Sequence, residues 1–343
     1  MPPKHYGGCS LTAAYTTVFG GDFQQTLPVV VNGTRQTTVD ATIQRSYIWQ
    51  HVEVLHLYQN MRVNNDRNRQ TFSDWLLDVG HGRNRVEGKT PLSFPLPVHM
   101  SCHSEDQLIE RVYGSMEHSS GIPPPEFFRD RAILAPRNDD MRSLNTRILA
   151  SLPGERRTYD SADSYSIESP TADNHSNIPL EFLHSLNASG LPVAHLQLKV
   201  GCPVLILRNI DTKRGLCNGT RATVIRLSSR VLEVRLLGGD HDGETALIPR
   251  ITLSPSVTGF DFAIKLKRRQ YPIQLAFAMT INKSQGQTIS RVGIDLRKPI
   301  FAHGQLYVAL SRSTSSERIS VLLPPDCETS HTTNVVYNEI LLD

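Results

Sequence analysis

Apolar positions along this chain recur with two periods, and the changes between them mark out its elements. His51-Val-Glu-Val-Leu-His-Leu57 alternates with period two and predicts a strand. Residues 41–49 place Ile43, Tyr47 and Trp49 on one helical face, and 71–80 read as a helix closed by Gly80. Residues 104–113 predict a capped helix: Ser104 leads, Gln107 follows three positions later, and acids fill the first turn. Residues 131–136 are a short apolar run, a buried strand. Residues 139–149 follow as a helix with Met141, Leu144, Ile148 and Leu149 inward. Strand then helix, repeated, predicts an α/β fold around a parallel sheet.

The rhythm then changes. Residues 151–176 are rich in Ser, Asp and Pro, with one strand predicted near 159–167, and read as a crossover. Two strands flank Gly201, Asn218-Gly219 supplies a turn before a third, and 231–237 and 245–249 complete a set of short strands. Strands this short, joined by tight turns, predict a small barrel. Lys265-Leu-Lys-Arg-Arg269 reads either as a nuclear-import signal or as a strand with a DNA-facing side; its alternation favours the strand. Residues 326–343 predict one short helix.

Three stretches concentrate groups that hold anions. Phe277-Ala-Met-Thr-Ile-Asn-Lys-Ser-Gln-Gly-Gln-Thr288 reads as an apolar strand ending in a polar turn. Thr280, Lys283, Ser284, the N–H groups around Gly286, and Thr288 could bind an anion there, and a helix is expected to start beside them. Tyr307-Val-Ala-Leu-Ser-Arg-Ser313 is a second apolar run, ending in the Arg312 guanidinium. Near the start, an apolar strand enters Gly20-Gly-Asp22 and a polar turn with Gln25. Each has a plain structural reading as a turn; together they suggest phosphate handling.

The net charge of +3 is unevenly placed. Residues 1–196 hold 17 Lys and Arg against 21 Asp and Glu, whereas 197–270 hold 13 against 6 and 271–320 hold 6 against 2. A basic block suits a polyanion, DNA or RNA first, or else a solvated basic face. Five scattered cysteines with no C-x-x-C pair argue against a disulfide framework or zinc site and suit a reducing cytosolic or nuclear compartment. Cys102 and His103 are adjacent, so on a strand they face apart. No apolar run reaches the roughly 18 residues of a membrane helix, and the first residues lack a secretory core.

In order, Gly21-Asp22-Phe-Gln-Gln25, Tyr58-Gln-Asn-Met-Arg62, the 277–288 turn and Ser311-Arg312-Ser313 resemble motifs three to six of superfamily-one DNA helicases. The family is the PIF type (petite integration frequency), and within it the Helitron-transposon branch. Leu198-Lys-Val-Gly-Cys-Pro-Val204 and Gly215-Leu-Cys-Asn-Gly-Thr-Arg221 look like that family's SH3-like insert. The resemblance covers about residues 17–324 and implies an α/β, RecA-like architecture. Residues 1–36 would be a remnant of a first RecA-like motor domain. Residues 37–176 and 269–325 would form the second motor domain, 177–268 an inserted SH3-like barrel, and 326–343 a tail.

What the family does is ATP-dependent 5′-to-3′ DNA unwinding, with repair, recombination or telomere duties in the nucleus or mitochondrion. The resemblance therefore implies ATP and Mg²⁺, and single-stranded or forked DNA as partner. Gln25, Arg62 and Arg312 would act as catalytic residues on the γ-phosphate side; Asp22, Gln25, Gln285 and Gly286 would hold the nucleotide. Thr280, Asn282, Lys283, Ser284 and Thr288 would grip DNA, with Asn282 standing where the family pattern has histidine. The sequence contains no G-x-x-x-x-G-K-[S/T] and no Asp-Glu pair shortly before Gly20, and phosphoryl transfer depends on that loop, lysine and metal. A separate chain or upstream exon is expected to supply them, and the chain alone to be inactive. Two other readings compete: a non-catalytic single-strand-binding module, and a transposon-derived relic with exposed apolar faces.

Overall fold

The computed structural model describes residues 17–58, 60–61, 66–83, 93–114, 121–167, 178–188, 190–255, 264–325 and 330–341. Helices α1 (Arg35–Asp40) and α2 (Arg67–His81) come first, then strands β1 (Ser93–Pro95) and β2 (Ser101–Cys102). Helix α3 (Glu105–Tyr113), strand β3 (Arg131–Ala135) and helix α4 (Asn138–Ser151) follow. A strand-rich stretch begins with β4 (Arg157–Asp160), β5 (Ala162–Ile167), helix α5 (Leu180–Ser185), β6 (His195–Leu198) and β7 (Pro203–Ile206). It continues with β8 (Arg221–Leu227), β9 (Val231–Leu237), β10 (Thr245–Pro249), β11 (Ile251–Leu253), β12 (Ile264–Gln270) and β13 (Ile273–Leu275). The chain closes with β14 (Ala278–Thr280), β15 (Arg291–Asp295), helix α6 (Gln305–Leu310), β16 (Ile319–Leu322) and β17 (His331–Thr333).

Five strands pair in parallel in the order β14-β3-β15-β16-β2. Their apolar runs belong to a sheet covered on both faces. In β3, Ile133 and Ala135 enter one core cluster with Leu108 and Val112 of α3, while Ala132 and Leu134 enter another with Leu306 and Leu310 of α6. This is the RecA-like core. The Ser104 cap forms as expected: its hydroxyl accepts from Gln107 N (3.1 Å), and the Gln107 side chain accepts from His103 N (2.8 Å).

The short strands form antiparallel ladders: β10-β9-β8-β7-β13, β11-β12-β5 and β4-β6. Pairing among the described residues leaves these ladders open, so no closed ring is drawn by backbone hydrogen bonds where the strand lengths predict a barrel. The expected strand near 159–167 is two, β4 and β5, and both pair into these ladders. Arg221 of β8 is buried and donates to the carbonyls of Arg129, Arg131 and Ala276. It clamps the antiparallel ladders to the parallel sheet.

Several expectations need correction. Residues 51–57 are not a strand: after a turn at Trp49–His51 they have no strand partner among the described residues, and Leu57 is fully exposed. Alternation suits a strand only where a neighbouring edge accepts it, and no described strand does. The helix predicted over 71–80 runs to His81 and is capped by Gly82 at φ +65°, while Gly80 is buried against Gln24. No α-helix starts directly at the end of β14; a single 3₁₀ turn, Ile281–Ser284, takes its place. Residues 41–49 give only 3₁₀ turns, and the tail contributes β17, paired with β1, before a 3₁₀ turn at Asn338–Ile340.

Candidate functional site

The turn at 20–25 is shaped by its own aspartate. Asp22 Oδ1 accepts from Gln24 N (2.9 Å), and Asp22 Oδ2 accepts from the Gln25 amide (3.2 Å) and from the Tyr307 hydroxyl of α6 (3.2 Å). The local bonds make an Asx-type turn, and the tyrosine ties it to the helix. Beneath it, buried His303 donates from Nε2 to Phe23 O (2.8 Å) and accepts at Nδ1 from Tyr337 N (2.9 Å). A carbonyl only accepts and an amide N–H only donates, so the ring is neutral with its proton on Nε2. Burial lowers its pKa from the ordinary histidine value, against the pull of the Phe23 carbonyl. Gly304 follows at φ +71°, and a Cβ there would lie 2.6 Å from the Gln25 carbonyl carbon. Both the backbone angle and the close approach require glycine.

The opposite wall is the turn after β14. Ser284 is buried and donates to Ile281 O (2.7 Å), so its hydroxyl shapes the turn. Asn282 accepts from the Gln305 amide (3.3 Å), and Gln305 accepts in turn from Phe301 N and Ala302 N at the start of α6. Lys283 is largely buried and donates to Gln274 (3.5 Å); burial, then repulsion from Arg208 and Arg142, lowers its pKa to about 8. Gln285 donates to Gln25 (3.4 Å) across 260 residues of chain. Gly286, at φ +74°, presents exposed backbone.

Arg312 is held differently from the projecting guanidinium that its place at the end of a run predicts. It is 7% exposed and donates to Val308 O (2.8 Å), Ser284 O (3.2 Å), Gln287 O (3.1 Å) and the Ser311 hydroxyl (2.9 Å). The run before it is helix α6, and the guanidinium stitches the end of that helix to the turn.

These walls enclose a cleft of about 500 Å³. Asp22, Gln25, Gly286 and Arg312, read from the sequence as nucleotide residues, line it with Thr288, read there as a DNA contact, and with Asn60, Met61, Gln287, Tyr307 and Ser311. Gln285 touches the site through Gln25. Thr280, Asn282, Lys283 and Ser284 do not line the cleft: Asn282 braces α6, Lys283 faces β13, Ser284 is internal and Thr280 is half-buried. Arg62 lies outside the described residues, although Asn60 and Met61 just before it line the cleft. Sequence reasoning gave no role to His303, Gly304, Gln305, Tyr307 or Ser311; a glycine directly before a buried apolar helix was the available signal.

The donors in the cleft are a guanidinium, amides, hydroxyls and backbone N–H groups, a set that suits phosphate oxygens. Among the described residues, Asp22 is the one carboxylate in the lining, and no lysine lines it. Among the described residues no group of three or more His, Cys, Asp or Glu could hold a metal ion. The residues present fit the phosphate side of a nucleotide.

Comparison with known proteins places these features. A family described as PIF1-like helicase matches residues 4–90, one described as DNA helicase Pif1, 2B domain, matches 181–227, and one described as Helicase matches 254–341. The ATP-dependent DNA helicase PIF1 of Homo sapiens is 35% identical over 224 residues, covering 63% of this chain and 30% of that protein. Its counterpart from Rattus norvegicus is 36% identical over 193 residues, covering 55% and 27%. The ATP-dependent DNA helicase Pif1 of Bdellovibrio bacteriovorus is 27% identical over 302 residues, covering 88% and 56%. The chain thus spans less than a third of the two mammalian relatives. Among solved structures, the Pif1 helicase of Candida albicans superposes with a TM-score of 0.58 at 24% identity, covering 93% of this chain and 66% of that one. Bacteroides Pif1 bound to ssDNA gives 0.54 at 22%, covering 94% and 63%. These likenesses show the fold.

Proposed function

We infer the function from the premise that the chain belongs to the PIF1-like helicase family. Its cleft takes the terminal phosphates of ATP in an ATP-dependent DNA helicase, and the turn after β14 passes the state of that nucleotide to bound DNA. One observation carries this reading: Gln25 and Arg312, nearly three hundred residues apart in sequence, line one cleft with Asp22, Gly286 and Thr288. Gln25 would report the γ-phosphate, and its bond to Gln285 joins that report to the turn. Asn282, through Gln305, joins the turn to the helix that carries Tyr307. Arg312 would stabilise charge on the transferred phosphoryl group, an effect worth roughly 10³–10⁵ in rate when the rest of such a site is present.

Mg²⁺-bound nucleotide would supply the leaving group and neutralise its charge. The phosphate loop and acidic pair that hold it are absent from this sequence, so turnover requires a polypeptide that carries them. DNA is the partner by likeness to Bacteroides Pif1, described as bound to ssDNA. The test is a fluorescent single-stranded oligonucleotide titrated with the isolated chain, with ATP turnover followed in parallel. Salt-dependent binding without turnover is the expected result. Turnover by the chain alone would contradict the division of labour, and absence of binding would contradict the DNA-motor reading. A non-catalytic single-strand-binding module remains the second reading, favoured by the excess of Lys and Arg over acids in residues 197–320.

A further inference from the structure

His303 and Gly304 stand between two segments of the chain. On one side is the turn at 20–25: His303 donates to Phe23 O, and Gly304 leaves room for the Gln25 backbone. On the other side lies the C-terminal segment 334–341, which bonds both residues from behind. Tyr337 N donates to His303 Nδ1 (2.9 Å), with the two rings 5.4 Å apart, and Gly304 N donates to Val335 O (3.2 Å). The imidazole accepts from the C-terminal segment on one nitrogen and holds the turn with the other, so displacing the segment displaces the ring.

The segment is tied down elsewhere as well. Buried Asn334 donates to Val79 O near the end of α2 (2.8 Å), the helix whose Gly80 and His81 meet Gln24. The Gln44 amide donates to the carbonyl of buried Ile340 (2.9 Å). Arg35 of α1 donates to both carboxylate oxygens of Glu339 (2.7 and 2.6 Å), and its guanidinium lies 4.5 Å from the centre of the Tyr337 ring. An exposed ion pair holds little stability by itself. This one is bidentate and stacked on a ring, so its weight lies in orienting Tyr337. The hydrogen bond from Arg35, above all, draws the Glu339 pKa down to about 2, so the carboxylate stays charged across the neutral range.

We propose that Tyr337 and Glu339 are positioning residues for the nucleotide cleft. Latched by Arg35, the C-terminal segment holds the turn that carries Asp22 and Gln25, acting through His303 and Gly304, and so sets how tightly Gln25 meets a phosphate. This deepens the reading of the cleft as a phosphate site, and rests on it. Asp22 and Gln25 line the cleft and, among the described residues, none of 334–341 does, so the segment acts at one remove. Tyr307, His81 and Gln285 also reach the turn, so loosening the segment weakens the site without abolishing it.

The test is a Tyr337→Ala/Glu339→Ala variant of the full chain, titrated with a fluorescent ATP analogue well below its melting temperature. Changes along a packed relay alter coupling to a site by about 2- to 30-fold, and a loss of affinity in that range is expected. Tyr337→Phe keeps the ring and the N–H, and should bind as the native chain does. In a Gln25→Ala background most of the loss should vanish, because the segment acts through that turn. A purely structural role would lower the melting temperature and leave the affinity of the folded chain alone; that result overturns the positioning role and spares the cleft. An equal loss with and without Gln25 overturns it too. A native chain with no affinity for the analogue overturns the cleft reading, and the positioning role with it. Where the double variant does not fold, Glu339→Gln at an exposed position serves instead: weaker binding supports the positioning role, and native binding overturns it.

Discussion

At the scale of single residues, the site hangs on two groups that touch no substrate. His303 is neutral between a carbonyl and an amide N–H, and burial lowers its pKa below the ordinary 6.5. Above that pH the ring is neutral folded or unfolded and contributes no pH dependence. As the pH falls below about 6.5 the unfolded chain takes up the proton first, so stability drops on the acid side. Urea titrations should show this loss, and His303→Gln should flatten that part of the profile. Gly304 is the second. Gly304→Ala meets both a positive φ and the 24–25 backbone, and should cost about 1–3 kcal/mol, read as a lower urea midpoint at unchanged slope. Arg312 makes a contrasting case, because its partners are mostly main-chain carbonyls 25 to 28 residues away or one helical turn back. No side-chain pattern displays such acceptors, so the sequence shows the arginine and hides its bonding.

Among elements, those that local chemistry specifies were the legible ones. The β3 run, the Ser104 cap and the inward face of α4 follow from unbroken apolar stretches and from partners three residues apart. Residues 51–57 were misread because alternation signals a half-buried strand without saying whether an edge exists to receive it. The turn after β14 was misread because its anion-binding composition suits a helix start, yet positive-φ Gly286 and the return to β15 at Arg291 leave room for one 3₁₀ turn. The buried Arg268–Asp163 pair, which joins β12 to β5, was invisible for another reason: its members are 105 residues apart. Removing one partner leaves a buried charge alone, so Asp163→Ala should cost about 3–5 kcal/mol. An Asp163→Leu/Arg268→Met double variant should recover most of that stability in thermal melts.

For the whole molecule, exposed apolar side chains gather near the start of the described chain, at Val18, Phe19, Leu55, Leu57, Tyr58 and Met61. Exposed clusters of this kind mark surfaces that associate. Leu57 is fully exposed, so it adds nothing to the internal packing. Leu55→Lys/Leu57→Glu should therefore leave the melting temperature unchanged and reduce self-association in analytical ultracentrifugation. Unchanged association would place the adhesive surface elsewhere. The cleft lies beside this region, since Met61 belongs to both.

The central claim is that Gln25 and Arg312 serve one phosphate. A double-mutant cycle on nucleotide affinity tests it most directly, using Gln25→Ala, Arg312→Gln and the combination, with a fluorescent ATP analogue. Residues sharing a ligand group couple, so the cycle should return an interaction energy of about 1 kcal/mol or more. Effects that add to within about 0.3 kcal/mol, or an affinity that neither change alters, would contradict the account.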